Sequence, residues 1–225
     1  MSRTRTDADD AGTSRGRTRT GQIETTRRRI LETAERMFAE HGIFSVSNRQ
    51  ISDEGGLGNN TAVSYHFGSK AELVRAIYQR HNEPMELIRE ELLNRHAGSE
   101  DLRDWLACMV HPFTDHLASL GANSWYARFI AQLMTEPKLR ELGLVDVGRT
   151  PQQRTIADAL HRCLPHLTPA VHAERDEMAQ ALIAHMCARR EQDLPEDSAA
   201  AWKATTSSLI DALAGLYMAP ATPLD

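Results

Sequence analysis

The sequence predicts an all-α protein, and two observations support this fold class. Apolar residues recur at three- and four-residue spacing, as in Ile30, Ala34, Met37 and Phe38, and this is the period of one face of a helix. Signals that begin and end helices recur along the chain, whereas the paired turn signals of strands do not. With 225 residues, 41% of them apolar, the chain can bury a sizeable core.

Two helices are predicted before residue 56. The first covers about 23–41 and ends where the basic residue His41 is followed by Gly42, a common helix-stopping residue. Ser47 lies three residues before Gln50, which is the spacing of a capping box, in which each side chain bonds the backbone N–H of the other residue. A second, short helix is therefore predicted at about 48–55.

Two more helices are predicted after a glycine-rich turn. Asn59 can cap a short third helix at about 60–66. Ser69 and Glu72 have the spacing of a second capping box, so a fourth helix is expected from about residue 70 to about residue 95. Pro84 lacks a backbone N–H, and it is expected to kink this helix or to divide it in two.

Two short helices joined by a glycine turn and braced by a longer helix are typical of a helix-turn-helix. A short helix is sufficient because only its first turns need to reach base edges in the major groove. Val63 fits the inward side of that helix, while Tyr65 and Lys70 fit positions from which a phenol and an ammonium could bond phosphate. A turn with no role in DNA binding is the alternative. The outward side chains, small polar groups suited to base edges, are Asn60, Thr61 and Ser64.

Charge is distributed unevenly along the chain, whose formal net charge is -5. Residues 1–81 hold 13 Lys and Arg against 10 Asp and Glu, whereas the remaining residues hold 13 against 21. Only the N-terminal third could approach a polyanion such as DNA without net repulsion. Within it, residues 1–20 have the composition of a disordered basic tail, which can still contact phosphate.

Residues 47–73, SNRQISDEGGLGNNTAVSYHFGSKAEL, follow a predicted helix that ends in MFAEHG. This segment resembles the DNA-binding region of the TetR (tetracycline-repressor) family of bacterial transcription regulators, and the resemblance covers about residues 24–80. It implies three helices, the third of which enters the major groove. The residues that it implies for DNA contact are Ser47 and Arg49 at phosphate, Tyr65 and Lys70 as clamps on the DNA backbone, and Asn60, Thr61 and Ser64 at bases.

The turn before Tyr65 is one residue longer than the commonest spacing in the family, so the chain resembles a subgroup with a longer turn. Either Asn59 or Asn60 can then cap the third helix, and the base-reading positions could shift by one residue. Asn59 is therefore included among the candidate DNA contacts.

The rest of the chain is predicted to be helical. Apolar stripes and start signals predict helices at about 101–120, 125–134, 151–164, 169–190 and 198–218. The stretch ELGLVDVGRTPQQ, residues 141–153, is the expected irregular segment. The predicted organisation is a disordered basic tail at 1–20, a helix-turn-helix domain at 21–68 and a helical effector-binding and dimerisation domain at 69–225.

The resemblance also implies the roles of the C-terminal domain. In the family this domain binds a small molecule among its central helices, and its last two long helices form a homodimer as a four-helix bundle. A dimer suits a near-palindromic operator, because two heads related by two-fold symmetry read two half-sites. The candidate dimer contacts are Val171, Met178, Leu182, His185, Trp202, Leu209, Leu213 and Leu216. The candidate ligand contacts, each of which could instead be an ordinary core residue, are Trp105, Met109, Phe113, His116, Trp125, Phe129 and Met134.

Several other classes of protein lack support in the sequence. No stretch has the length and apolarity of a membrane span and no signal peptide is recognisable, so a cytoplasmic location is expected. The three cysteines have no CxxC spacing, and the paired histidines lie five residues apart, so no metal site is predicted. No P-loop, dinucleotide-binding or serine-hydrolase motif is present, and no cofactor is predicted.

The sequence therefore predicts a DNA-binding transcription regulator that is not an enzyme. The expected action is that of a repressor, which is the commoner sign in the family. It would leave its near-palindromic operator when a small apolar or aromatic effector binds. The alternatives are a helical small-molecule carrier with a non-functional DNA head and an all-helical enzyme.

Overall fold

The computed structural model describes residues 10–59, 61–136, 150–195 and 198–221, with side chains described from residue 21 onward. Every regular element within these ranges is an α-helix, which confirms the all-α prediction. The helices in chain order are α1 (Asp10–His41), α2 (Asn48–Glu54), α3 (Ala62–Phe67), α4 (Lys70–Arg95), α5 (Leu102–Leu120), α6 (Tyr126–Thr135), α7 (Pro151–Cys163), α8 (Pro169–Gln192) and α9 (Ser198–Met218).

The first helix is longer than predicted. Helix α1 begins at Asp10 and not near residue 23, so it includes part of the segment whose composition predicted a disordered tail. Residues 1–9 lie outside the described residues. The apolar stripe that predicted α1 is correctly placed, because Ile30, Ala34 and Phe38 are all fully buried.

Both predicted capping boxes are present. Ser47 Oγ accepts the backbone N–H of Gln50 at 3.2 Å, and Gln50 Oε1 accepts the backbone N–H of Ser47 at 2.8 Å. Ser69 and Glu72 make the same reciprocal pair at the start of α4, at 3.2 and 2.9 Å. These local bonds fix where α2 and α4 begin, because they satisfy N–H groups that have no partner within the helix.

The turn between α2 and α3 depends on a glycine. Gly56 has a φ of +58°, a conformation that residues with a side chain rarely adopt, and a Cβ there would lie 3.0 Å from Nη2 of Arg29. The third helix begins at Ala62, two residues later than predicted. The delay has a local cause: Asn59 Oδ1 accepts the backbone N–H of Thr61 at 2.9 Å, which makes a turn before the helix.

Helix α4 is continuous and connects the helix-turn-helix to the C-terminal helices. Pro84 lies inside it, so of the two outcomes expected at this residue, a kink or a division into two helices, the division does not occur. Helix α4 packs mainly on α5, while α6 packs on α8 and α5 packs on α9. Helix α1 also packs on α6, where the rings of Phe38 and Phe129 stack with centroids 6.4 Å apart. The apolar core is therefore continuous from the helix-turn-helix, which we call the head, to the C-terminal helices.

The predicted irregular segment at 141–153 falls mostly outside the described residues, which omit 137–149. Its last residues are helical, since α7 begins at Pro151 with Thr150 and Gln153 as a capping box. No described helix is both long enough and apolar enough to cross a membrane.

Candidate nucleic-acid interface

Helix α3 is held to the head by one face and exposes the other. Val63 and Phe67 are buried, which confirms the predicted inward position of Val63. Thr61, Ser64 and Tyr65 are exposed, and Tyr65 retains 80% of its accessible surface. The exposed face of α3 therefore presents the hydroxyl of a large aromatic side chain beside two small polar groups. A helix that contacts base edges in a groove and a neighbouring phosphate requires such groups.

Of the two asparagines before α3, the structure describes Asn59 and not Asn60. Asn59 is engaged in its own turn, since Oδ1 accepts both the N–H and the hydroxyl of Thr61, at 2.9 and 2.8 Å. The N-cap residue of α3 is Thr61, whose side chain makes no capping hydrogen bond, so Asn59 forms a turn before the helix and not the cap that the sequence predicted. Asn60 lies outside the described residues, so its predicted base contact remains a prediction.

Asn48 connects the two helices of the motif and was not singled out from the sequence. Its Nδ2 donates to Ser64 Oγ at 3.3 Å, from the first residue of α2 to the exposed face of α3. Its side-chain oxygen is buried and has no hydrogen-bond partner among the described residues. The contact orients the hydroxyl of a predicted base reader, and no local pattern could have indicated it because the two residues are 16 apart.

The two predicted phosphate contacts at the start of α2 differ in availability. The hydroxyl of Ser47 takes part in the capping box, donating to Gln50 Oε1 at 2.8 Å. Arg49 has a side chain that is 75% exposed, and it pairs only loosely with Asp53, at 3.6 Å. An exposed pair of this kind is weak, so the guanidinium can turn to a phosphate at little cost in free energy.

Lys70 does not present its ammonium freely to solvent. Nζ donates to the backbone carbonyl of Ile43 at 3.0 Å and to that of Val46, both in the connection between α1 and α2. Partial burial lowers the pKa of the Lys70 ammonium below its ordinary value. This geometry favours a role in holding the head together over the predicted role as a phosphate clamp.

Arg27 of α1 supports the end of α3. Nη1 donates to the backbone carbonyl of His66 at 2.8 Å, and the guanidinium lies over the ring of Phe67, 4.1 Å from its centroid. The hydrogen bond satisfies a carbonyl at the C-terminal end of a helix of only 6 residues, and the cation–π contact packs the guanidinium against the same end. The sequence indicated basic charge here, but not that this arginine faces protein.

The seven predicted ligand contacts do not converge on one described cavity. Trp105, His116 and Phe129 are buried, while the other four are partly buried. Trp105 Nε1 donates to the carbonyl of Ser99 at 3.0 Å, as expected for a core tryptophan. A cavity of about 430 Å³ lies between α1, α4 and the α5–α6 turn, and of the seven it is lined by Trp125 alone.

The cavity lies at the junction between the head and the C-terminal helices, and its wall is charged. Its lining includes Glu32, Glu35 and Arg36 from α1, and Arg80 and His81 from α4. Arg80 pairs with Glu32 across the two helices at 3.3 Å. Carboxylates and guanidiniums in these numbers suit a polar occupant better than an apolar one.

The predicted dimer residues divide between the inside and the outside of the chain. Trp202, Leu209 and Leu213 are buried within this one chain, so their assignment to an intermolecular contact is corrected: α9 turns this stripe inward to pack on α5 and α8. Met178 and His185 are exposed on α8, with Met178 at 53%. The remaining members of the set, all partly buried, are Val171, Leu182 and Leu216.

Two family models match the chain. One, described as bacterial regulatory proteins of the tetR family, matches residues 30–77, and the other, described as a tetracyclin repressor-like C-terminal domain, matches residues 107–215. Two regulators from Pseudomonas putida, the probable HTH-type transcriptional regulator ArpR and the HTH-type transcriptional regulator TtgR, are each 34% identical over 88 residues. The matched stretch spans 39% of this chain and 39% of either relative.

A solved structure has a similar fold. NalD, the secondary repressor of the MexAB-OprM multidrug efflux pump in Pseudomonas aeruginosa, matches with a TM-score of 0.55 and 21% identity. The match covers 86% of this chain and 95% of NalD. At this identity the likeness concerns the fold alone.

Both ends of the chain are thus matched by models of one family, on the head and on the C-terminal helices separately. The family consists of regulators, which agrees with the prediction that the chain is not an enzyme. The residues that carried the resemblance, 47–73, fall within the first match, 30–77. The chain belongs to the TetR family of bacterial regulatory proteins.

Proposed function

We propose that this chain is a transcription repressor that binds a near-palindromic operator as a homodimer and leaves it when a small molecule binds. The observation that carries the proposal is the geometry of α3, whose apolar face is buried while Thr61, Ser64 and Tyr65 are exposed together. An isolated six-residue helix would not be stable in water, so its exposed face is presented in one orientation by the rest of the head.

The proposed division of labour within the head follows from hydrogen bonding. Thr61 and Ser64, with Asn60, would contact base edges, because short hydroxyl and amide groups can both donate and accept. The Tyr65 phenol and the Arg49 guanidinium would contact phosphates, which accept from any donor and carry no sequence information. Sequence choice would therefore depend on the first group and overall affinity on the second.

The homodimer is proposed to form through the exposed faces of α8 and α9. Met178 and Met186 on α8, and Met218 on α9, are exposed at 53%, 45% and 59%. Large apolar side chains at this exposure are typical of surfaces that a partner covers. Leu182 lies between the two α8 methionines at helical spacing, so the apolar stripe on α8 is continuous.

The effector is proposed to be a small apolar or aromatic molecule bound among α5 and α6. Met109 and Phe113 support this class, because each packs against the core while keeping some exposure, and Met134 is also partly buried. The chain is proposed to act in the cytoplasm, where the operator lies. Binding would release DNA by favouring a quaternary state in which the heads no longer match the operator.

The proposal is tested by selecting genomic DNA fragments on the purified full-length protein near physiological salt and sequencing the bound fraction. We expect enrichment of one near-palindromic motif. The matched control is Tyr65→Phe, which removes only the exposed hydroxyl and should recover the same motif at lower yield. Recovery of fragments without a shared motif would overturn sequence-specific repression and favour the carrier with a non-functional head.

A further inference from the structure

A series of buried hydrogen bonds connects the head to the C-terminal helices. Glu35 of α1 lies with Oε2 2.8 Å from His81 Nε2 on α4, and His81 Nδ1 lies 2.8 Å from His116 Nε2 on α5. The three residues are 7%, 4% and 5% exposed. The His81 ring also stacks on Tyr126 of α6, with centroids 3.8 Å apart. We call Glu35, His81 and His116 the head-to-core chain.

Chemistry determines the direction of the hydrogen bond between His81 and Glu35, whereas the bond between His81 and His116 can have either direction. A carboxylate only accepts, so the His81 Nε2 that faces Glu35 carries hydrogen. Burial, followed by the neighbouring His81, lowers the pKa of His116 to about 4, so its ring is neutral near pH 7. A neutral ring can accept from His81 Nδ1 or donate to it. Each nitrogen of His81 therefore has one defined partner, and the stack on Tyr126 limits rotation of the ring.

This arrangement specifies geometry in a way that the neighbouring apolar contacts do not. Hydrogen bonds require their donor and acceptor within a few tenths of an ångström and a narrow range of angles, whereas apolar contacts are non-directional. The stacked rings of Phe38 and Phe129 make an apolar contact between α1 and α6, and such a contact does not specify one orientation in this way. Among the buried contacts of these helices, the head-to-core chain is one that constrains the orientation of α1, α4 and α5 relative to one another.

The head-to-core chain lies where the orientation of α4 relative to α5 can affect DNA binding. His81 lies eleven residues after Lys70, the first residue of α4, and so roughly 16 Å along the helix from the head. A change of tilt where α4 meets α5 would move α3 of each subunit relative to its two-fold mate. None of the three residues lies on the exposed face of α3, so such a change would leave base contacts within one half-site intact.

We propose that the head-to-core chain sets the separation of the two heads and thereby determines which half-site spacing the dimer accepts. Glu35, His81 and His116 act as positioning residues, while α3 determines the choice of bases. This inference depends on the proposed binding of a near-palindromic operator by a homodimer.

The test compares DNA duplexes that differ only in spacing. Affinity is measured for the motif selected by the wild-type protein, for the same half-sites moved one or two base pairs closer or farther apart, and for a single half-site. His116→Phe fills the space of the ring without its nitrogens, and Glu35→Met removes the carboxylate. The matched control is Glu32→Met, which removes the exposed pair with Arg80 across the same two helices. His116→Gln is the conservative variant, because its amide reaches the position of Nε2.

We expect His116→Phe and Glu35→Met to reduce the preference for the selected spacing by about fivefold or more. Their affinity for the single half-site should stay within about twofold of wild type, while Glu32→Met and His116→Gln keep the full preference. An unchanged preference in the two folded variants would overturn the inference. Loss of folding in both would overturn it too, because the chain would then serve stability. A wild-type protein that prefers no spacing would instead contradict the proposed function.

Discussion

The buried carboxylate of Glu191 of α8 forms an ion pair with the partly buried Arg128 of α6 and also caps α6. Glu191 Oε2 accepts from both Nε and the backbone N–H of Arg128 at 3.1 Å. Glu191 Oε1 accepts from the backbone N–H of Ala127 at 3.0 Å and from Ser124 Oγ at 2.6 Å. The N-cap residue of α6, Trp125, makes no side-chain cap of its own. A carboxylate from a distant helix therefore supplies the acceptor that α6 lacks.

Replacing Glu191 with alanine is expected to destabilise the fold strongly. Four donors would lose their acceptor and the guanidinium of Arg128 would lose its anionic partner, so the free energy of unfolding should fall by roughly 3–5 kcal/mol. Glu191→Gln should lose less, because its carbonyl can still accept. Urea unfolding measures the difference, with the exposed Glu177→Ala on the same helix as control. A loss below about 1 kcal/mol for Glu191→Ala would contradict the capping role.

The free energy of unfolding is expected to decrease as the pH is lowered, because of His116. Its pKa is lowered from 6.5 to about 4 in the folded protein, chiefly by burial. Between these pH values the unfolded state therefore binds a proton at His116 that the folded state does not bind. The contribution of His116 to the free energy of unfolding is fully present above pH 6.5 and is lost as the pH falls toward 4. The wild-type protein should lose up to about 1.4 kcal/mol per pH unit more than His116→Phe over this range. The more accessible His111→Gln should follow the wild-type curve.

Arg49 and Lys70 are expected to affect salt dependence differently. Arg49→Gln should reduce the slope of log K against log salt concentration by about 0.9 for each subunit bound, and so by about 1.8 for the dimer, because each head loses one phosphate contact and its counterion release. Lys70→Met should leave this slope unchanged and lower the thermal midpoint, because Nζ bonds Ile43 and Val46. Titrations of DNA with each variant at several salt concentrations measure the two slopes. A flattened slope in a stably folded Lys70→Met would restore the sequence-based role of Lys70 at phosphate.

Thr61 is expected to influence base choice. Thr61→Ala should relax selection at one position of each half-site and lower affinity for the preferred base by roughly 1–3 kcal/mol. The control is Thr155→Ala, an exposed threonine on α7. Selection from a randomised half-site measures the effect. Uniformly weaker binding with the same base preferences would show that Thr61 acts through the turn that it makes with Asn59.

Met178 is expected to contribute to the dimer. Met178→Glu places a charge on the exposed stripe of α8, and burying that charge in an interface is unfavourable. The dimer of this variant should therefore dissociate at a higher protein concentration than the wild-type dimer. Leu87→Glu is the matched control, because Leu87 is exposed at 70% on α4, outside the proposed interface. Sedimentation at several concentrations distinguishes the two variants. Equal dimerisation of Met178→Glu and wild type would place the interface elsewhere.

Much of the head could be predicted from the sequence because its signals are local. Each capping box joins residues three apart, and the positive φ at Gly56 needs no distant partner. The inward position of Val63 follows from helical spacing, and the family follows from one continuous segment. The start of α3 was missed by two residues because the Asn59 turn competes with the helix for the N–H of Thr61.

The roles of several individual side chains depended on contacts between distant parts of the chain. Lys70 bonds carbonyls 24 and 27 residues away, and Glu191 caps a helix more than 60 residues earlier. No spacing rule reports such pairs, because they exist only once the helices have packed.

The amino-acid sequence by itself determined the helical fold, the helix-turn-helix and the family, since these depend on spacing and on a contiguous motif. Only the tertiary structure decided which apolar stripe of α9 faces inward, which charged residues face protein, and how Glu35, His81 and His116 meet. The physical reason is that Trp202 on α9 and Met178 on α8 each belong to an apolar stripe with helical spacing, yet the burial of each residue depends on which neighbouring helix covers it.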